Sequence, residues 1–358
     1  VRQGGDEFIV VLQDLEHASL AGQVGEKLLE AVAQPYREGD HKLFLTASIG
    51  VAIFPEDGKD MDILLRNADT AMYAAKSAGG NTVHFYTDSM NERLQSRVLV
   101  ERSLHRALDN GEFSLYYQPQ IDIASGRLVG AEALLRWLDG SQVVPPDHFI
   151  PIAEESGLII PIGNWVLDTA ISQAAAWHRA WDGRPGQPPR IAINLSARQF
   201  WGGGLAERIL ANLARENLSP SAIELEITES VLLRQEGGSL EELRRLEQSG
   251  LGLSLDDFGT GYSSLSYLRL LPIDTLKIDK SFISALDDDQ HDQGQSEAKT
   301  IVGAIIAMAH SLEFQVVAEG VESQRQLALL RELNCDSYQG YLESRPLPAA
   351  EFTARYLG

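Results

Sequence analysis

Two adjacent carboxylates, Asp256 and Asp257, are the residues of this chain whose types and spacing point most clearly to chemistry. They follow the alternating leucines of 251–255, which predict a β-strand, and Gly259 and Gly261 allow a sharp turn after them. Neighbouring carboxylates repel each other in a confined site unless a cation lies between them, and a divalent metal ion is the usual solution. A solvated turn is the simpler interpretation of the pair taken alone.

Other predicted strands also carry polar side chains on one face, near their carboxyl ends. Successive side chains of a strand face opposite sides, so alternation separates an aliphatic face from a polar one. These strands are predicted at 129–136, 190–196, 223–228, 275–279, 315–318 and 337–339. The polar residues in them or directly after them are Glu132, Asn194, Glu226, Lys277, Asp279, Glu319 and Gln339.

Amphipathic helices are predicted between these strands, because apolar residues recur at spacings of three and four. They cover 165–180, 206–216, 240–249, 299–313 and 324–333. Strands that alternate with helices imply a parallel sheet, and about eight strands with polar carboxyl ends favour a closed α/β barrel with its chemistry at that rim. An open doubly wound sheet is the alternative, although no Gly-x-Gly-x-x-Gly turn follows the first strand.

Composition is that of an intracellular enzyme. The chain has 358 residues, 44% of them apolar, and a net charge of −21. Such a surface repels nucleic-acid polymers, and no basic stripe offsets it. Cys335 is the single cysteine, which excludes an internal disulfide. Neither a signal peptide nor an apolar run of ~18 residues is present, so we expect a cytoplasmic fragment without membrane contact. Since it begins at Val1, its parent can carry an upstream anchor.

Seven motifs, in order, resemble those of EAL domains, the phosphodiesterases that hydrolyse cyclic di-GMP. The first is Glu132-Ala133-Leu134-Leu135-Arg136-Trp137. The others are Asn194-Leu195-Ser196, Glu224 to Glu229, Asp256 to Gly261, Lys277-Ile278-Asp279, Ala318 to Glu322 and Gln339-Gly340-Tyr341. The resemblance runs from about Ser103 to Gly358, and it implies a TIM-like (β/α)8 barrel with one antiparallel strand.

The resemblance also implies two magnesium or manganese ions at the rim. Hard cations of this kind prefer oxygen ligands, which this set of residues supplies. In this family pattern Asp256 bridges the two ions, and Glu319 ligates the second ion or braces its water shell. The implied metal-binding residues are Glu132, Asn194, Glu226, Asp256, Asp257 and Asp279.

Catalytic and substrate-binding roles follow from the same resemblance. Lys277 resembles the lysine that orients the attacking water, and Glu319 is the candidate general base. Arg136, Gln339 and Leu134 are expected to contact or support the substrate, although a structural salt bridge is as good an interpretation of Arg136. Glu229 resembles the glutamate that tethers the loop 258–265 beside the metals; stabilising the first turn of a helix is its alternative role.

The function that the resemblance implies is metal-dependent hydrolysis of cyclic di-GMP to linear pGpG in bacterial signalling, by a protein we expect to form a homodimer. The alternative is a receptor that binds cyclic di-GMP without cleaving it. Receptors of this kind typically lose one or more of the metal-binding acids, whereas all are present here. Glu343 replaces an aromatic residue usual in the family, and we expect substrate affinity to be affected more than chemistry.

The first hundred residues resemble part of a second family. Gly4-Gly5-Asp6-Glu7-Phe8, 47–52 and 68–76 are similar to the motifs of diguanylate cyclase (GGDEF) domains. The family's nucleotide-binding first half is absent, and Gly80 replaces an arginine that usually contacts phosphate. We therefore predict a partial α+β GGDEF domain over 1–87 that does not synthesise cyclic di-GMP, a connecting helix over 88–102 and the EAL phosphodiesterase domain over 103–358.

Overall fold

The computed structural model describes most of the chain. The residues described are 1–13, 15, 17–38, 41–140, 142–181, 188–201, 203–228, 239–259, 268, 270–287 and 292–358. They divide into two compact units, Val1–Arg102 and Ser103–Gly358. No helix in these ranges combines the length and the apolar content that a membrane crossing needs.

The first unit consists of short strands paired two by two, together with helices. Its elements are β1 (Arg2–Gly4), β2 (Glu7–Phe8), α1 (Ser19–Val32), β3 (Tyr36–Glu38), β4 (His41–Leu43), β5 (Ile49–Val51), α2 (Met61–Ser77), β6 (Val83–Phe85) and α3 (Asp88–Asp109), which runs past the end of the unit. The β1–β2 and β3–β4 pairs are antiparallel, and the β5–β6 pair is parallel. Helix α2 lies directly against β5 at Gly50, where no side chain separates the two backbones. A Cβ atom at this position would come within 1.9 Å of the Ala68 carbonyl oxygen.

A closed barrel forms the centre of the second unit. Its eight strands are β7 (Phe113–Asp122), β8 (Leu128–Asp139), β10 (Arg190–Leu195), β11 (Ile223–Thr228), β12 (Gly252–Phe258), β13 (Thr275–Ile278), β14 (Gln315–Ala318) and β15 (Ser337–Tyr338). Two further strands lie at the sides, β9 (Gln142–Val144) on β8 and β16 (Leu347–Pro348) on β7.

The order of the strands confirms the predicted architecture. From β8 through β10 to β15 each strand pairs in parallel with the next. Strand β7 closes the ring by pairing antiparallel with both β15 and β8. The prediction of a barrel with one antiparallel strand is therefore confirmed, and the open doubly wound sheet is wrong.

Helices cover the outside of the barrel. They are α4 (Pro146–Ser156), α5 (Ile159–Trp181), α6 (Ala197–Trp201), α7 (Leu205–Glu216), α8 (Ser239–Gln248), α9 (Lys280–Ser284), α10 (Asp292–Ser311), α11 (Gln324–Glu332) and α12 (Ala349–Tyr356). In α5 the buried residues include Val166, Ala170, Ala174 and Trp177, which recur at helical spacing on one face.

Strand parity decides what faces the barrel axis. In β11, Ile223, Leu225 and Ile227 are fully buried on one face, and Glu226 lies on the other. Lys277 of β13 contacts Glu226 although β12 lies between their strands, so both side chains must point to the interior. The aliphatic face therefore packs against the helices, and the polar face lines the axis.

An aromatic cluster fixes the C-terminal helix to the barrel. The ring of Phe352 in α12 stacks on Trp177 of α5, with centroids 4.8 Å apart and planes at 20°. Trp177 also meets Tyr117 of β7 edge-on at 4.8 Å, and its indole N–H donates a 2.8 Å hydrogen bond to Thr353 Oγ1. Phe352 is completely buried, so the cluster joins a strand and two helices into one packing unit.

Removing the Phe352 ring should destabilise the barrel. We expect Phe352→Ala to lower the free energy of unfolding by about 3–5 kcal/mol, since it loses buried apolar contact and leaves a cavity. All five tryptophans lie between 137 and 201, so intrinsic fluorescence during denaturant unfolding reports on the barrel unit. Ile301→Ala, at a side chain that is 40% exposed, is the control and should change stability by about 0.5 kcal/mol or less. Equal midpoints for the two variants would contradict the packing role.

Candidate metal and active site

The strand ends bring the predicted polar residues to one level of the barrel. In the parallel register Asn194 of β10 lies opposite Glu226 of β11, and Thr228 lies opposite Asp256 of β12. Glu319 directly follows β14 and Gln339 directly follows β15. Because parallel strands end at a common rim, residues distant in sequence meet there.

Lys277 lies at the centre of this group, and its ammonium faces four carboxylates. Its Nζ is 2.6 Å from Glu319 Oε1, 2.8 Å from Glu226 Oε1, 3.3 Å from Asp256 Oδ1 and 3.8 Å from Glu132 Oε2. The side chain is only 1% exposed. Burial alone would lower the pKa of Lys277, but the four carboxylates raise it well above its ordinary value. Lys277 is therefore a cation paired with the surrounding carboxylates and is not available to accept a proton.

Glu132 is held by two side-chain amides. Asn194 Nδ2 donates to Glu132 Oε1 at 2.6 Å, and Gln339 Nε2 donates to Oε2. Burial by itself would raise the pKa of Glu132, but the charge of Lys277 and the two amide donors lower it. The carboxylate is thus ionised with both oxygens oriented.

Asp256, Asp257 and Glu319 form a second group of acids. Each offers one carboxylate oxygen, and the three oxygens lie within 4.8 Å of one another. Asp257 has a φ of 54° where the β12–β13 register shifts, which turns its side chain away from the strand alternation. Burial and the charge of Asp256 raise the pKa of Asp257, and burial raises the pKa of Glu319 to about 8. These shifts are the response of acids crowded together in a site of low polarity.

Asp279 and Glu229 are placed differently from the rest. Asp279 Oδ1 accepts a 3.0 Å hydrogen bond from the Ser281 backbone N–H, so this carboxylate caps α9. It lies near enough to contribute to the raised pKa of Asp257, but it is not one of the three clustered acids. Glu229 and the loop residues 260–265 lie outside the described residues.

The predicted substrate-binding residues Leu134 and Arg136 follow Glu132 on the same face of β8. Both are partly buried, and the guanidinium of Arg136 lies 5.7 Å from the centre of the Tyr116 ring on β7. Burial lowers the pKa of Arg136. Its described hydrogen bond goes to the Leu135 carbonyl oxygen at 2.9 Å, and no salt bridge to Arg136 occurs among the residues that the structure describes. The guanidinium is therefore a cation close enough to interact electrostatically with Glu132, one of the four carboxylates around Lys277 that we call the acid cluster.

The oxygen atoms that these side chains present fit divalent cations as ligands. Both oxygens of Glu226 are buried, and Oε1 is paired with the Lys277 ammonium. Neither oxygen accepts a hydrogen bond from an amide or hydroxyl group in the described ranges, and Gln339 Oε1 is likewise without a hydrogen-bond donor there. Burial and the charge of Glu132 raise the pKa of Glu226 well above its ordinary value, so the site has more negative charge than Lys277 neutralises. Carboxylate and amide oxygens with free lone pairs are what Mg²⁺ and Mn²⁺ bind.

Glu343, the departure from the family pattern, is engaged with the C-terminal helix. Its Oε1 accepts a 2.9 Å hydrogen bond from the Tyr356 hydroxyl and lies 3.9 Å from Arg355 NH2. Burial and this hydrogen bond raise the pKa of Tyr356 to about 12. The glutamate therefore ties α12 to the loop that follows Gln339.

Sequence reasoning missed strand β7 and with it Gln118. This side chain is 7% exposed, lies opposite Glu132 in the β7–β8 register and accepts a hydrogen bond from Gln339. The signal was available in the alternation of Phe113, Leu115 and Tyr117 with polar residues.

The fold and the site define a (β/α)8-type barrel with a cluster of acids at its rim whose oxygens could hold a divalent cation. Residues 101–346 match the EAL domain family, and the chain belongs to it. Residues 1–82 match the diguanylate cyclase, GGDEF domain.

Relatives share both parts. The chain is 42% identical over 358 residues to the bifunctional diguanylate cyclase/cyclic di-GMP phosphodiesterase MucR of Pseudomonas aeruginosa, covering 99% of this chain and 50% of MucR. It is 37% identical over 356 residues to the cyclic di-GMP phosphodiesterase PdeR of Escherichia coli, covering 99% of this chain and 52% of PdeR. The chain thus spans about half the length of these relatives.

A solved structure shares the barrel. The PaMucR phosphodiesterase in complex with c-di-GMP superposes with a TM-score of 0.65 at 42% identity, covering 71% of this chain and 99% of that one.

Lys277 should stabilise the protein when metal is withheld. We expect Lys277→Met to lower the free energy of unfolding in EDTA by about 3–5 kcal/mol, because it leaves buried carboxylates without their cation. Added Mn²⁺ should then raise the melting temperature of the variant more than that of the parent protein, because a cation bound among these carboxylates would replace the positive charge that the variant lacks.

The matched control is Lys280→Met, at an exposed lysine three residues away. It should leave the melting temperature and its response to Mn²⁺ unchanged. If Lys277→Met and Lys280→Met behave alike, Lys277 does not hold the acid cluster together.

Proposed function

We propose that the barrel unit hydrolyses cyclic di-GMP to linear pGpG with two divalent cations, Mg²⁺ or Mn²⁺. The observation that carries this proposal is the convergence of four carboxylates from separate strands on one buried lysine. They are Glu132, Glu226, Asp256 and Glu319. Membership of the EAL family, and the cyclic di-GMP phosphodiesterase names of its relatives, support the choice of substrate.

In this proposal the acids divide into two ligand groups that share Asp256. Glu132, Asn194, Glu226 and Asp256 hold the first cation. Asp256 and Asp257 would hold the second, and Glu319 and Asp279 would ligate it or brace its water shell. A pair of cations offsets the charge of a phosphodiester and lowers the pKa of a shared water.

Lys277 and Glu319 are assigned the roles next to the reacting atoms. The ammonium of Lys277 is cationic, so it orients the attacking water and stabilises negative charge on phosphate. Glu319 lies 2.6 Å from that ammonium, and its side chain is 18% exposed, against 11% for Asp256, 7% for Glu132 and 0% for Glu226. It is therefore the carboxylate of the four that is best placed to take a proton from water.

Arg136 and Leu134 are assigned to the substrate. Both lie on the face of β8 that carries Glu132, Leu134 two residues and Arg136 four residues further along the strand. The half-buried guanidinium of Arg136 supplies the positive charge that a phosphate of cyclic di-GMP needs in a chain of net charge −21. Gln339 supports the site through its hydrogen bond to Glu132.

The proposal concerns the barrel unit alone. The chain spans about half of MucR and PdeR, so other activities and partners of a longer protein lie beyond it. A homodimer, a cytoplasmic location and the loop-tethering role of Glu229 stay predictions from the sequence.

Hydrolysis should depend on both the cation and the acids. We expect purified protein with Mg²⁺ to convert cyclic di-GMP to pGpG, measured by liquid chromatography, and EDTA to abolish the reaction until Mg²⁺ is restored. Glu132→Ala and Asp256→Ala should each lower the rate by more than about 100-fold, because loss of an outer-shell partner of a metal alone costs about 10–100-fold.

Glu297→Ala, which removes an exposed acid in α10, is the control and should retain full activity. Unchanged turnover in Asp256→Ala would refute the metal assignment. Calorimetric binding of cyclic di-GMP without any product in Mg²⁺ would instead identify a receptor.

A further inference from the structure

Two buried glutamines connect the loop after β15 to Glu132. Gln118 Nε2 donates to the Ser344 carbonyl oxygen at 3.0 Å, and Gln339 Nε2 donates to Gln118 Oε1 at 3.0 Å. Gln339 Nε2 also donates to Glu132 Oε2. Gln118 and Gln339 are 7% and 4% exposed, so water does not compete for these bonds.

The Ser344 carbonyl oxygen determines which atom donates and which accepts in each of these three hydrogen bonds. A backbone carbonyl can only accept, so the amide nitrogen of Gln118 must face Ser344 and its oxygen must face Gln339. That oxygen requires a donor, and the amide group of Gln339 therefore presents its nitrogen. The two N–H bonds of this nitrogen serve Gln118 and Glu132. The reverse orientation of Gln339 would place its carbonyl oxygen against the Glu132 carboxylate.

We propose that Gln118 is a positioning residue for the cation site, and that it acts by fixing the orientation of the Gln339 amide. With Gln339 fixed, Glu132 receives one amide N–H on each oxygen, from Asn194 and from Gln339. The carboxylate is then held in one orientation, which is what a cation ligand requires. This inference rests on the proposed function, because it concerns the affinity of the same site for divalent cations.

Gln120 provides a matched control. It lies two residues further along β7 on the same face, and it is also 7% exposed. Its Nε2 makes no hydrogen bond within the described part of the chain, and its amide packs in the space left by Gly130. Gln120→Leu therefore reproduces the change in side chain without touching Gln339.

The test is Mn²⁺ binding to the full chain without substrate, measured by isothermal titration calorimetry. We expect Gln118→Leu to weaken Mn²⁺ binding by about 10–100-fold, as loss of an outer-shell partner does, and Gln120→Leu to weaken it by less than about threefold. Equal losses in the two variants would indicate general damage to the barrel interior and overturn the proposal, as would an unchanged affinity in Gln118→Leu. If Gln118→Leu does not fold, Gln118→Met keeps the side-chain length and serves the same measurement.

A double-mutant cycle separates positioning from packing. Because Gln118 acts through Gln339, Gln118→Leu should have no further effect on Mn²⁺ affinity in a Gln339→Leu background. Additive losses of Mn²⁺ affinity would overturn the proposal that Gln118 acts through Gln339. Absence of Mn²⁺ binding to the parent protein would overturn both the proposed metal-dependent function and the positioning role of Gln118. Mn²⁺ binding that does not depend on Gln118 would overturn the positioning role alone.

Discussion

The ion pairs of Lys277 within the barrel are the interaction on which the site depends. Burying one ammonium and several carboxylates costs free energy of desolvation that is recovered only when opposite charges are in contact. The four acids around Lys277 come from or directly after β8, β11, β12 and β14, so no local segment could assemble them. Closure of the sheet is therefore a condition for the electrostatics, and the lysine holds the strand ends at a common centre.

Within this cluster the pKa values of Glu132 and Glu226 shift in opposite directions, and the donors and charges around each carboxylate explain the difference. The pKa of Glu132 is lowered although the residue is buried, because two amide N–H groups and Lys277 favour its charged form. The pKa of Glu226 is raised, because burial and the charge of Glu132 outweigh the charge of Lys277 and no amide donor reaches its oxygens in the described ranges. Burial is similar for the two, so the amide donors orient Glu132 on both oxygens, whereas Glu226 is held by the charge of Lys277 alone among the described residues.

Much of this arrangement could be predicted from the sequence. Alternation in 223–228 and 190–196 separated the inner from the outer face, and strands alternating with helices indicated the barrel. Alternation could not predict which side chains contact each other. Asp279 caps α9, and Glu343 accepts a hydrogen bond from the hydroxyl of Tyr356. Such contacts depend on how the folded chain places its segments, which the spacing of residues in the sequence does not show. The roles assigned to metal ligands came from family resemblance and remain predictions of it.

The omission of Gln118 has a topological cause. In a parallel strand the rim lies at the carboxyl end, so a search for polar residues at strand ends finds Glu226, Asp256 and Glu319. Strand β7 runs in the opposite direction, with Phe113 paired to Trp137 and Gln118 to Glu132. Its residues reach the level of the acids from the middle of the strand, and Gln118 is followed there by Pro119 and Gln120 with no strand end to mark it. One reversed strand thus hides a residue that lies directly opposite a proposed cation ligand.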